Sequence, residues 1–200
     1  MNSCARLMWL SLVALGACSG AASATRSKQM PTGAPSKFDA YRAKCNSGSM
    51  CDCYNLGVLY DEGKGVAQDA QRAAHWYRHA CDGGEMQGCD NLAALHVFGT
   101  GVAHDTRRAV ALYEQACTAG LVRSCYNLGV LYDHGEGVTH DTWHAAKLFT
   151  QACAADHATA CFNLATMYWR GEGVSEDEAQ AMRLFKQACE LGSKDACEQL

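Results

Sequence analysis

Leucine and tyrosine recur along this chain at helical spacing, in four blocks set 36 residues apart. Leu56, Leu59 and Tyr60 open the series, and Leu92 with Leu95, Leu128 with Leu131 and Tyr132, and Leu164 with Met167 and Tyr168 continue it. Residues three and four apart share a helix face, so each block predicts an amphipathic helix, here A. Each block then runs into a G-x-G-V turn, at Gly63 and Gly65, Gly99 and Gly101, Gly135 and Gly137, and Gly171 and Gly173. Glycine adopts the positive φ such a stop requires. Asp69, Asp105, Asp141 and Asp177 follow, placed to cap a second helix, B, by accepting from its exposed amides. Helix B buries Ala73 with Trp76 and Tyr77, and the corresponding Ala, Leu and aromatic positions of the later units. Gly84, Gly120, Asp156 and Gly192 end it.

The blocks are near copies: "CYNLGVLYDEGKGV" from Cys53, "CDNLAALHVFGTGV" from Cys89, "CYNLGVLYDHGEGV" from Cys125 and "CFNLATMYWRGEGV" from Cys161. A fixed period of this length marks a stack in which each unit buries its apolar face against its neighbours. The units run 45–80, 81–116, 117–152 and 153–188, with partial units at 37–44 and 189–200. Gly57, Ala93, Gly129 and Ala165 fall where helix A meets another helix closely.

The first 36 residues break the pattern. Arg6 is the only charge in residues 1–17, and Leu7 to Ala17 is apolar but short for a membrane span, as in a signal peptide. "LGAC", Leu15 to Cys18, resembles the lipobox of bacterial lipoproteins, which makes Cys18 a lipid anchor. Ser19 behind it then points to the outer membrane, with the chain facing the periplasm or the surface. "ASA", ending at Ala24, is the alternative, an ordinary secretory cleavage site that would leave the chain secreted or periplasmic. Residues 18–36, which hold both prolines, read as a flexible tether. The net charge of −4 and the lack of a long basic run argue against nucleic acid as a partner.

The pattern N-L-G-x-x-Y-x-x-G-x-G-V followed by an Asp-capped helix resembles the Sel1-like repeat, a relative of the tetratricopeptide repeat, over about Lys37 to Leu200. The resemblance implies an all-α, right-handed α/α solenoid of about four and a half helix pairs.

Of thirteen cysteines, ten form pairs at one spacing: Cys45 and Cys53, Cys81 and Cys89, Cys117 and Cys125, Cys153 and Cys161, Cys189 and Cys197. Each C-x7-C spans the turn from a helix B to the next helix A, so one bridge per junction is the simplest connectivity. Zinc is the competing reading, but structural zinc sites favour shorter spacings, and only Cys51 with Cys53 has one. Cys51 is left over, read as a spare thiol or an intermolecular link. This cysteine pattern narrows the resemblance to the cysteine-rich Hcp proteins, a family filed as β-lactamases, which implies a β-lactam-binding or hydrolysing enzyme as the alternative function.

The catalytic motifs for that alternative are missing: S-x-x-K, S-D-N, K-T-G and H-x-H-x-D-H do not occur. No catalytic residue is assigned. His75 and His79, four apart on helix B, could share a metal, yet they occupy a column of solvent-type residues, so neither metal nor cofactor is expected. In repeat proteins binding concentrates where units differ. Three columns differ most: Tyr54, Asp90, Tyr126 and Phe162; then Val97 and Trp169 against Asp61 and Asp133; then Phe98, His134 and Arg170 against Glu62. These nine divergent residues, Tyr54, Asp90, Val97, Phe98, Tyr126, His134, Phe162, Trp169 and Arg170, form the candidate binding surface. Asn55, Asn91, Asn127 and Asn163 recur in every unit and read as structural. The functional expectation is a monomeric scaffold binding an envelope protein or a peptidoglycan-related ligand, β-lactams being the alternative, and touching the membrane through the lipid anchor alone.

Overall fold

The computed structural model describes Ser36–Leu200. The signal segment, Cys18, Ala24 and all but the last residue of the tether lie outside the described residues. Ser36 itself is the N-cap of the first helix, its hydroxyl accepting from the Asp39 amide.

The described residues form helices α1 (Lys37–Asn46), α2 (Met50–Glu62), α3 (Ala70–Asp82), α4 (Met86–Phe98), α5 (Thr106–Thr118), α6 (Val122–His134), α7 (Thr142–Ala154), α8 (Ala158–Arg170), α9 (Glu178–Glu190) and α10 (Lys194–Cys197), without strands among them. Each packs on its predecessor and its successor in the chain, which makes a solenoid. α2, α4, α6 and α8 are the A helices, and α3, α5, α7 and α9 their B partners.

The expected punctuation is present. The Asp69, Asp105, Asp141 and Asp177 carboxylates accept from the third amide onward at 2.8–3.0 Å. Caps of this kind contribute about 1 kcal/mol each. The second glycine of each turn is required by docking as well as by φ. A Cβ at Gly101, Gly137 or Gly173 would come within 2.3–2.5 Å of the backbone of Ala70, Thr106 or Thr142. Each turn therefore seats on the N-terminus of the helix B before it, locking one unit to the next.

The core is a ladder. Leu56, Leu92, Leu128 and Leu164 are buried, as are the alanines Ala73, Ala109, Ala145 and Ala181. Tyr77, Tyr113, Phe149 and Phe185 fill the space between each A and B pair. A Cβ on Gly57 would meet the Tyr77 ring at 2.5 Å, and one on Gly129 the Phe149 ring at 2.7 Å. The small-residue column thus marks the approach of helix A to its own helix B.

Five disulfides staple the junctions, pairing Cys45–Cys53, Cys81–Cys89, Cys117–Cys125, Cys153–Cys161 and Cys189–Cys197 at Cα separations of 4.6–4.8 Å. Chain-entropy reasoning assigns each short loop roughly 2.5 kcal/mol. One expectation fails here: Cys51 is disulfide-bonded rather than a spare thiol. It stands two residues before Cys53 on α2, about 200° around the helix, so its sulfur faces away from the junction bridge. Among the described residues no helix is long and apolar enough to cross a membrane.

Candidate ligand-binding cleft

The first divergent column occupies the second turn of each A helix, and its four members do four different things. Tyr54 is half-buried on α2, its ring 5.8 Å from that of Tyr77. Burial raises its hydroxyl above the usual tyrosine range, and nearby Arg123 partly offsets this. Tyr126 stacks on His157 at 4.6 Å. Phe162 packs against Phe185 at 5.6 Å.

Asp90 corrects an expectation, because it is not a surface residue: only 2% of it is exposed. One carboxylate oxygen accepts from the Ser124 hydroxyl at 2.6 Å, and the other pairs with the Arg123 guanidinium. Arg123 also donates to the Asn91 side chain at 2.8 Å. The charge breaking the aromatic column is thus spent on tying α4 to α6, and a buried carboxylate without those partners would be costly.

At the other end of the solenoid the divergent residues line a cleft. Phe162, Thr166, Trp169 and Arg170 lie on one face of α8, and Phe185 of α9 and Gln199 complete a cavity of about 480 Å³. Trp169 is half-exposed. Arg170 sits beside Glu172 at 4.0 Å, a loose surface pair that leaves its charge available at the rim. An apolar floor with a few polar groups at its edge is the common composition of a binding site.

Of the nine candidates the cleft therefore gathers three, Phe162, Trp169 and Arg170. Val97 is half-buried and packs on the core, covering a neighbour. Phe98 is exposed beside Gly99, and His134 is exposed at the end of α6; neither lines the cleft.

Trp143 was missed. It is exposed at the start of α7, with the Lys147 ammonium 4.5 Å from its ring centroid, beside a hollow of about 630 Å³ lined also by Tyr168, Gly173, Val174 and Ser175. Its sister positions are Gln71, Arg107 and Ala179, a contrast available in the sequence. The recurrent asparagines have a structural setting: Asn91 faces the Tyr54 and Tyr77 hydroxyls, and Asn127 faces Tyr113. The hydroxyls of Ser49 and Ser193 cap helices, and that of Ser124 serves Asp90. The sulfurs of Cys45 and Cys53 lie within 4.8 Å of the His79 ring, but both are held in their bridge.

Comparison with known proteins agrees with this architecture. The chain matches a crystal structure of c5321, a protective antigen of uropathogenic Escherichia coli with an SLR fold, at 31% identity and a TM-score of 0.77, over 80% of this chain and 34% of the antigen. It matches a Sel1 repeat protein from Oxalobacter formigenes at 26% identity and a TM-score of 0.77, over 82% of this chain and 66% of that one. Cysteine-rich protein B (HcpB) of Helicobacter pylori matches at 31% identity and a TM-score of 0.54, over 66% of this chain and 96% of its own. The chain thus spans about a third of the antigen and just under two thirds of the Oxalobacter protein. No curated protein sequence matches it. The Sel1 repeat family model matches residues 52–85, 87–121, 122–157 and 158–193, so with turns, caps and junctions all in register the chain belongs to the Sel1 repeat family.

Proposed function

We propose that this chain is an extracytoplasmic Sel1-repeat scaffold that binds a protein ligand, with the cleft between α8 and α9 as its contact site. The carrying observation is that the cleft gathers three positions at which the fourth unit departs from its sisters. Phe162, Trp169 and Arg170 give an apolar floor and a cationic rim suited to an apolar side chain with an acidic neighbour. Aromatic and arginine anchors of this kind carry much of the binding energy in protein interfaces.

Five junction disulfides support an oxidising compartment outside the cytoplasm. Export through residues 1–17 with acylation at Cys18 would put the scaffold in the bacterial envelope, where an envelope protein or a peptidoglycan-linked peptide is the natural ligand. Mass spectrometry of the mature N-terminus tests the anchor: a diacylated Cys18 supports it, and a chain beginning after Ala24 replaces it.

Selection of displayed peptides on the oxidised chain tests the cleft. Enriched peptides that lose at least tenfold in affinity for Trp169→Ala and Arg170→Glu support the proposal. Peptides indifferent to both changes would move the site elsewhere.

A further inference from the structure

The internal junctions record what the surface beside the cleft is built to hold. α4 lays Leu92 and Leu95 on Ala73, Ala74 and Tyr77 of the preceding helix B, and these five residues belong to one buried cluster. The counterparts on α9 are Ala181, Met182 and Phe185. The second position of that trio reports the cover directly: Ala74 is 2% exposed, Val110 6%, Ala146 2% and Met182 38%. Three sister positions are closed by the A helix of the following unit, and the fourth is open among the described residues.

The cleft has the same origin. One period earlier its lining corresponds to Tyr126, Val130, Asp133, His134, Phe149 and Asn163. There α8 continues beyond Asn163 to Arg170, whereas α10 is a single turn ending at Cys197. The cavity beside Gln199 therefore lies along the path that the body of a fifth A helix would take. Burial at the disulfides agrees, since Cys53, Cys89, Cys125 and Cys161 are buried while Cys197 is exposed.

We infer that the cleft and Met182 together take an amphipathic α-helix from a protein partner, docked in the register of an A helix. This rests on reading the cleft as the contact site, and continuity with the internal junctions identifies the occupant. The partner helix presents apolar residues three apart, as Leu92 and Leu95 are, to Ala181, Met182 and Phe185, and its flank covers Trp169. Binding of an amphipathic helix in an apolar groove is a known mode of peptide recognition. Here the groove is the fold's own repeat interface left open.

The test uses the full, oxidised chain and a synthetic peptide with the sequence of residues 122–134, "VRSCYNLGVLYDH", carrying Cys125→Ser. Titration calorimetry measures affinity, and circular dichroism measures helix gained on mixing. The expected result is saturable binding with a gain of helix, weakened at least tenfold by Met182→Glu in the protein and abolished by Leu128→Lys with Leu131→Lys in the peptide. Binding that ignores those leucines, or that adds no helix, overturns the inference. Failure of this peptide while display-selected peptides still bind in a Trp169-dependent manner overturns the helical occupant alone and leaves the cleft as a site. Self-association of the chain that Met182→Glu removes would make a second copy the occupant and also overturn the inference.

Discussion

The first and fourth units build the same position from opposite chemistry. In the first, the buried Tyr77 hydroxyl donates to Asp61 at 3.1 Å, with Asn91 facing it from the next unit. Burial and the Asp61 charge both raise the Tyr77 hydroxyl far above its ordinary value. In the fourth, Phe185 replaces the tyrosine, Trp169 replaces the aspartate and Gln199 replaces the asparagine. Donor and acceptor have gone together, so no hydrogen-bonding group is stranded on the floor of the cleft. The difference teaches that a repeat can open a binding surface without rebuilding its frame, provided the polar partners are removed as a set.

Four measurements can break or sharpen this contrast. The largest effect is expected in the polar half: Arg123→Met leaves Asp90 buried beside Ser124 alone and should cost about 3 kcal/mol in urea unfolding. Changing Asp90 and Arg123 together to leucine should recover much of that, and no recovery would mean the pair does more than neutralise itself. Next comes the staple between the halves. Cys117→Ala with Cys125→Ala should lower stability by roughly 2.5 kcal/mol, and an unchanged urea midpoint would show that packing alone sets that junction.

The third effect is pH-dependent. The neutral His157 ring accepts from the Ala160 amide at 3.2 Å as the N-cap of α8, and burial lowers its pKa below the ordinary histidine value. The folded state therefore binds protons less readily than the unfolded chain. The stabilisation is full above about pH 6.5 and is lost as pH falls through the folded-state pKa. Between pH 7.5 and pH 5 the wild type should lose about 1 kcal/mol more than His157→Ser, since serine caps without titrating. Equal losses would remove His157 from the account. Smallest of all, Trp169→Ala should change stability by no more than about 0.5 kcal/mol, as expected at an exposed position. A larger loss would mean that the ring is structural and the cleft is not a free surface.

Most of the fold was legible in the sequence because its determinants are local and repeat. The turn glycines, the aspartate caps, the small residues facing Tyr77 and Phe149, and the C-x7-C junctions each act within a few residues or one helix pair. The site was only partly legible. A column that departs from its sisters marks either a surface freed for a ligand or a change compensated elsewhere, and the column alone does not tell them apart. Phe162 and Trp169 proved to be the first kind. Asp90 proved to be the second, because its partners Arg123 and Ser124 lie in the next unit, itself a departure from the pattern. Trp143 was legible by the same comparison and was overlooked because its column lies on helix B. Cys51 could not be resolved by spacing, since it belongs to none of the repeated pairs.

The junction disulfides have one more consequence. Every one of the five closes a span of eight residues, and each pair is complete before the next pair begins along the chain. A chain threaded N-terminus first into an oxidising space would meet its cysteines in their bonding order. An oxidase joining consecutive thiols of these five pairs as they emerge would make only native links, and the finished units would already be cross-linked while the rest of the polypeptide was still in transit.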